Sequence, residues 1–197
     1  MTDQPQRLSL PNMLTVARIV AIPVIVTLAI MPGPNDMFRW LALLIYILAA
    51  ITDFLDGFLA RILSQTSPLG RMLDPIADKL LVGALLIILA WDRTFSAFDL
   101  IPATAIMLRE IFVPGLREFL GAKSVIVHVS WLAKYKTTLQ LIAMGILLAE
   151  PLMPGLRLIS DIALWAAAIL TVWTGWSYWK GAQQHFREDD VIPEPDA

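Results

Sequence analysis

The sequence predicts an all-α, polytopic membrane protein with about six transmembrane helices. Three observations support this fold class. Of the 197 residues, 57% are hydrophobic and only 16% are charged, a balance too apolar for a soluble domain with a polar surface. The apolar residues fall into six long segments separated by turn-forming residues. Basic residues are also divided very unequally between alternate loops.

The six apolar segments cover residues 13–31, 38–60, 76–92, 99–118, 134–150 and 157–179. Each is long enough to cross about 30 Å of hydrocarbon as a helix. Turn formers mark the connections at residues 32–36, 64–68, 92–96, 121–130 and 150–155. We expect one transmembrane domain over residues 1–186 and a disordered acidic tail over residues 187–197.

Local signals refine the start of two helices. Arg18 interrupts the first apolar run and no small-residue cleavage site follows, so this run is expected to be a retained span. Ser67 suits an N-cap and Pro68 suits the first helical position, so the third helix is expected to begin there.

The basic residues predict the orientation of the chain in the membrane. If the loops after the first, third and fifth spans lie outside, that side holds only Arg39, Arg93 and Arg157. The other side then holds the remaining twelve of the 15 basic residues. The positive-inside rule therefore places both termini in the cytoplasm. The formal charge of -2 gives no indication of nucleic-acid binding.

Four aspartates lie in or at the edge of the second and third apolar segments. Each ionised carboxylate at membrane depth costs several kcal/mol unless it is paired or lines a polar cavity. Asp53 and Asp56 are three residues apart and share one face of the second helix. Gly70, Asp74 and Asp78 recur every four residues on the third helix. A short turn makes these helices antiparallel neighbours, so we expect the carboxylates to converge.

The chemistry of this cluster indicates a divalent metal site. The chain has no Cys and only two His, so carboxylates are the realistic ligands and Mg²⁺ or Mn²⁺ the realistic ions. Two such ions about 4 Å apart would grip a diphosphate and stabilise in-line displacement at phosphorus. Gly57 and Gly70 leave room for a nucleotide to approach the helix backbone, and Ala60 keeps the same face low. Arg61 can donate two hydrogen bonds to a phosphate.

The motif running from Asp53 to Asp78 reads Asp-x2-Asp-Gly-x2-Ala-Arg-x8-Gly-x3-Asp-x3-Asp. All eight defined positions resemble the signature of the CDP-alcohol phosphatidyltransferase family, and this resemblance implies that family's fold. It also implies a bacterial phosphatidyltransferase of the cytoplasmic membrane, homodimeric, whose active site faces the cytoplasm. The implied metal ligands are Asp53, Asp56 and Asp74, with Asp78 as general base and possible ligand of a second ion. The implied contacts to the head of CDP-diacylglycerol are Gly57, Arg61 and Ser67.

In the reaction that the resemblance implies, Asp78 deprotonates the hydroxyl of an acceptor alcohol, which attacks the phosphatidyl phosphorus and releases CMP. The first span adds a polar stripe of Asn12, Thr15 and Arg18 at intervals of three residues. Because this region borders the nucleotide pocket in the family, Asn12 and Thr15 are candidate donor contacts. The alternative is a helix cap followed by an arginine that snorkels to the interface.

The acceptor is suggested by two further stretches, residues 108–118 and 131–140, which resemble those of phosphatidylglycerophosphate synthases. The resemblance therefore implies glycerol 3-phosphate, whose phosphate requires nearby cations. The candidates are Arg109, Arg117, Lys134 and Lys136. In the alternative interpretation, some of these only pair with Glu110 and Glu118 or snorkel to anionic headgroups.

Two kinds of alternative stay open. Within the family, the acceptor is inositol phosphate, serine or phosphatidylglycerol instead of glycerol 3-phosphate. In a different class, the chain is a carboxylate-lined cation transporter, which would have no need of the glycines and arginine of the motif. His128 is interpreted as an interfacial loop residue, and Gln140 and Asp161 as partners in interhelical hydrogen bonds.

Overall fold

The computed structural model describes residues 10–63, 68–122, 132–153 and 155–189. Side chains are described in these ranges except at residues 10, 11, 35, 54–63, 68, 69, 71, 122, 132–134, 184, 185 and 187–189. The described residues form six α-helices and two short 3-10 helices, with no strand among them. The α-helices are α1 (Leu10–Ile30), α2 (Met37–Leu63), α3 (Pro68–Trp91), α4 (Leu100–Ala122), α5 (Leu132–Ala149) and α6 (Arg157–Asp189). The predicted all-α class is confirmed.

Each predicted apolar segment corresponds to one α-helix, but some helices extend beyond the apolar residues. α3 is described from Pro68 onward, and residues 64–67 lie outside the described part of the chain. The helix start predicted from Ser67 and Pro68 therefore stays a prediction. α6 continues to Asp189, three residues into the predicted tail, and residues 190–197 lie outside the described part of the chain. The apolar run marks only the part of a helix that is suited to lipid. Beyond that run, good helix formers such as Ala182 and Gln183 can continue the helix in water.

Among the residues that the structure describes, two helices are long and apolar enough to cross a membrane by themselves. They cover Asn12–Ile30, with 19 residues, and Arg157–Gln183, with 27 residues. Large apolar side chains on α6, such as Ile169 and Trp173, are exposed to the surroundings of the protein. Such surfaces are unfavourable in water and favourable in lipid. These two helices support a membrane protein, and the full set of six spans stays a prediction.

The chain divides into two compact units. The first unit contains α1, α2, α3 and residues Met144–Ser160, and in it α1 packs against both α2 and α3. Its buried side chains include Ile25, Tyr46 and Leu85.

The second unit contains α4, α5 as far as Ala143, and α6 from Asp161 onward. Leu116, Leu120 and Ala182 form a buried cluster in this unit, with Trp179 packed against it. The predicted single domain over residues 1–186 stays a prediction.

Ion pairs at the helix ends hold together the first unit, far along the helices from the acidic motif. Arg39 Nε donates to the backbone carbonyl of Leu148 at 3.0 Å, and its Nη1 contacts Asp92 Oδ2 at 2.5 Å. Arg157 Nη1 contacts Glu150 Oε1 at 3.1 Å across the α5–α6 connection. We call these five residues the end network. It engages two of the three basic residues that the orientation argument assigns to the outer side.

Candidate active site

The polar stripe of α1 forms the buried floor of the candidate site. α1 is described from Leu10 onward, so Asn12 lies within the helix and not at its cap. Asn12, Thr15 and Arg18 are all buried, although the neighbouring Met13 and Val16 are exposed. Residues three apart share a helix face, so the three polar side chains point to the same side of α1. This side faces into the protein.

Arg18 brings together carboxylates from two different helices. Its Nη1 lies 2.6 Å from Asp53 Oδ1 on α2 and 3.0 Å from Asp78 Oδ1 on α3. Because both carboxylates contact the same nitrogen, they lie close to one another. The Arg18 side chain is only 1% exposed, whereas those of Asp53 and Asp78 are 27% and 45% exposed. The alternative of a snorkelling arginine at this position is therefore wrong.

Thr15 provides a second contact between α1 and the acidic motif. Its Oγ1 donates to Asp74 Oδ1 at 2.5 Å. All three aspartates of the motif whose side chains are described thus contact the buried stripe of α1. Within α3, Gly70 is buried and lies one turn before Asp74, as the predicted helical spacing requires. Asp53 and Asp78 therefore meet at one nitrogen of α1, and Asp74 contacts the same face of α1 through Thr15.

For the remaining motif residues the structure describes the helix that carries them but not their side chains, or it does not describe them. Asp56, Gly57, Ala60 and Arg61 lie on α2, but their side chains are outside the described set. Ser67 lies outside the described residues altogether. Their predicted roles, and those of Asn12 and Thr15 in donor binding, stay predictions.

The donor chemistry of the site fits a hard divalent cation. Carboxylate oxygens are the ligands that Mg²⁺ and Mn²⁺ prefer, and two of these carboxylates already surround one positive charge, that of Arg18. Among the side chains that the structure describes, no three acidic or histidine groups are arranged closely enough to hold an ion. Asp56, the fourth predicted ligand, lies outside that set.

Arg18 belongs to the polar stripe noted in the sequence, but no role in the site was predicted for it. A local signal for it exists, because it is a charged residue three positions after Thr15 in an otherwise apolar span. An unpaired guanidinium at membrane depth is costly, so such a residue either snorkels or meets an acid. The sequence alone does not distinguish these two outcomes.

A second polar cluster lies in the other unit, between α4 and α5. Glu110 Oε1 accepts from Arg109 Nη1 at 3.3 Å and also from Lys136 Nζ. All three side chains are largely removed from solvent. The Arg109 side chain passes over Gly175 of α6, where an added Cβ would lie 3.1 Å from Arg109 Cγ. The structure thus brings together two of the four predicted acceptor cations, with Glu110 as their shared partner.

The other residues considered from the sequence are distributed differently. Arg117 is exposed, and the side chain of Lys134 is outside the described set. Gln140 is buried, and its Oε1 has no hydrogen-bond partner among the described residues. Asp161 is half-buried, and His128 lies outside the described residues. The interhelical roles predicted for Gln140 and Asp161 stay predictions.

Comparison with known proteins matches residues 8–173 to the family model described as CDP-alcohol phosphatidyltransferase. A protein of Rickettsia bellii is 47% identical over 90% of this chain and 97% of its own length. One from Cereibacter sphaeroides is 37% identical over 92% of this chain and 98% of its own length. One from Shigella flexneri is 36% identical over 89% of this chain and 95% of its own length. All three relatives are named CDP-diacylglycerol–glycerol-3-phosphate 3-phosphatidyltransferase.

The family match contains the whole acidic motif and the α1 stripe that contacts it. Because this match covers most of the chain, and the relatives align over about nine-tenths of it, the chain belongs to the CDP-alcohol phosphatidyltransferase family.

Proposed function

We propose that the protein transfers the phosphatidyl group of CDP-diacylglycerol to glycerol 3-phosphate, giving phosphatidylglycerophosphate and CMP. The observation that carries this proposal is the gathering of acids from α2 and α3 on the buried face of α1. The names of relatives that align over about nine-tenths of the chain support the choice of acceptor. Family membership argues against the cation transporter considered from the sequence.

Asp78 is proposed as the general base. It takes the proton of the acceptor hydroxyl while the hydroxyl oxygen forms a new bond to the phosphatidyl phosphorus. The bond between that phosphorus and the CMP oxygen breaks, and CMP departs with the electron pair. The Asp78 side chain is 45% exposed, so it is open on the side away from Arg18. A carboxylate that is anchored on one side and open on the other suits this role.

Two divalent ions, Mg²⁺ or Mn²⁺, are proposed as cofactors, held by Asp53, Asp56 and Asp74 with Asp78 as a further ligand. When bound, they would stabilise negative charge on the diphosphate of the donor. Thr15 supports this assignment, because its hydrogen bond orients the carboxylate of Asp74.

The donor is proposed to lie along the face of α2 and α3 that carries the motif. Gly57, Ala60 and Gly70 have no side chain or a small one, so the donor could approach the helix backbone on this face. Arg61 would bind a phosphate of the donor. Asn12, Thr15 and Ser67 complete the proposed contacts. Thr15 already donates to Asp74, so its contribution to donor binding would be indirect.

The acceptor phosphate is proposed to bind to Arg109, Lys134, Lys136 and, more peripherally, Arg117. Arg109 and Lys136 are charged groups largely removed from solvent in apolar helices, where a charge needs an anionic partner. Glu110 is a partner of both in this structure, and the acceptor phosphate is proposed to bind beside it. Their common contact with Glu110 fixes the guanidinium and ammonium groups near each other. Glu110 therefore has a positioning role in this proposal.

The enzyme is proposed to be a homodimer of the bacterial cytoplasmic membrane, with six spans and a cytoplasmic active site. The two apolar helices support membrane insertion, and the distribution of basic residues supports the orientation. The orientation places the acidic motif near the cytoplasmic ends of α2 and α3.

An acceptor panel tests the proposed substrate. Purified protein is incubated with CDP-diacylglycerol and one acceptor at a time, and CMP release is measured. We expect release with glycerol 3-phosphate and only background release with inositol phosphate, serine or phosphatidylglycerol. Release with one of the other acceptors and not with glycerol 3-phosphate would contradict the proposed acceptor while keeping the transfer chemistry.

Gly175→Ala tests the proposed role of Arg109 without changing any charge. The new methyl group would press on Arg109 Cγ and displace the guanidinium by a few tenths of an ångström. We expect KM for glycerol 3-phosphate to rise roughly tenfold and KM for CDP-diacylglycerol to change little, since positioning errors in binding groups are costly.

The matched control for this variant is Gly115→Ala on α4. An added Cβ there meets no atom within 4 Å, so the substitution should raise helix stability slightly and leave both KM values unchanged. Equal acceptor KM values in the two alanine variants would argue against Arg109 as a phosphate ligand.

A further inference from the structure

The Arg18 side chain is much less exposed to solvent than the two carboxylates that it contacts. Its side chain is 1% exposed, whereas the side chains of Asp53 and Asp78 are 27% and 45% exposed. The guanidinium therefore lies on the buried side of the acids, and the open side of the acids stays accessible. A dissolved cation can approach the carboxylates from that open side while Arg18 stays in place.

The electrostatic problem at this site exists before any ion binds. Carboxylates from α2 and α3 close together repel each other, and the repulsion grows as water is excluded. In the described structure, the positive group that contacts both Asp53 and Asp78 is Arg18. It comes from a third helix, α1, which packs against both α2 and α3. The charge of Arg18 thus acts at the point where three helices meet.

We propose that Arg18 is a resident cation that holds Asp53 and Asp78 together in the metal-free protein, so that Arg18 and the divalent ions substitute for one another in stabilising the fold. This inference rests on the metal dependence proposed above and assigns Arg18 a positioning role. Arg18 and a divalent ion neutralise the same carboxylates. Each therefore adds less to the free energy of unfolding when the other is present. By linkage, removal of Arg18 should strengthen the effect of the metal.

Arg18→Gln is the test, with the melting temperature measured in detergent with chelator and with saturating Mn²⁺. Removing one partner of a buried ion pair is strongly destabilising, so we expect the melting temperature in chelator to fall on the order of 10 °C. With saturating Mn²⁺ the fall should be roughly half as large or less. A titration followed by Mn²⁺ electron paramagnetic resonance should correspondingly show tighter binding to the variant, roughly tenfold.

Arg39→Gln is the matched control. This substitution also removes the arginine partner of a carboxylate in the first unit, Asp92, but Arg39 belongs to the end network and not to the acidic motif. Its melting temperature should fall by the same amount with and without Mn²⁺. If Arg18→Gln behaves in this way too, Arg18 has only a packing role and the inference is overturned. If the wild-type protein itself shows no response to Mn²⁺, the proposed metal dependence fails instead.

A double variant addresses the case in which Arg18→Gln cannot be purified. Arg18→Gln with Asp78→Asn removes one of the two carboxylates that the missing arginine leaves unbalanced. We expect this double variant to be recovered as folded protein in chelator where the single variant is not. If it is recovered no better than the single variant, charge balance is not the function of Arg18.

Discussion

Asp78→Asn is expected to reduce CMP release by roughly 10²–10⁴-fold, the usual contribution of a general base. The asparagine side chain has nearly the same shape but cannot accept the proton of the acceptor hydroxyl. Asp53 would keep its contact with Arg18, and Asp74 its hydrogen bond from Thr15, so the rest of the site should persist. Binding of CDP-diacylglycerol, measured by calorimetry in micelles, should therefore change only slightly.

Asp92→Asn is the control for this variant. Asp92 directly follows α3 and is also an ion-paired aspartate, but its partner is Arg39 of the end network. This substitution should lower stability and leave the turnover of folded protein within about twofold of wild type. Unchanged turnover in Asp78→Asn would remove Asp78 from its assigned role. An equal loss in both variants would indicate a general effect on folding.

Removal of divalent metal is expected to reduce CMP release to background, because the carboxylates alone would repel the diphosphate of the donor. Addition of excess Mg²⁺ or Mn²⁺ should restore the rate. The control is the same chelator already saturated with Mg²⁺, which separates loss of metal from damage to the micelle or the protein. Full turnover in excess chelator would contradict the proposed chemistry, although the family assignment would stand.

The helices of this protein were predictable because their signal is local. Long apolar runs bounded by turn formers identified each of the six α-helices found among the described residues. The length of α6 was predicted less well, because hydropathy reports where lipid suits a helix and not where its hydrogen bonding ends. Regular spacing likewise predicted that Gly70, Asp74 and Asp78 share one face of α3.

The contacts that complete the site were not predictable in the same way. Arg18 meets Asp53 and Asp78 across 35 and 60 residues of sequence, respectively, and no local spacing encodes such a contact. The closeness of Gly175 to Arg109 depends on how α6 packs in the second unit. Sequence spacing identifies residues on one helix face, whereas helix packing determines which faces meet.

The ion pair between Glu150 and Arg157 has a consequence for how the α5–α6 connection can diverge between relatives. The two charges bracket the connection, so its ends are joined independently of the residues between them. Extra residues in a flexible loop add little to the entropy of closing it, about 0.6 kcal/mol for each doubling in length. Insertions and deletions there should therefore be tolerated, whereas loss of either bracketing charge should select for loss of the other.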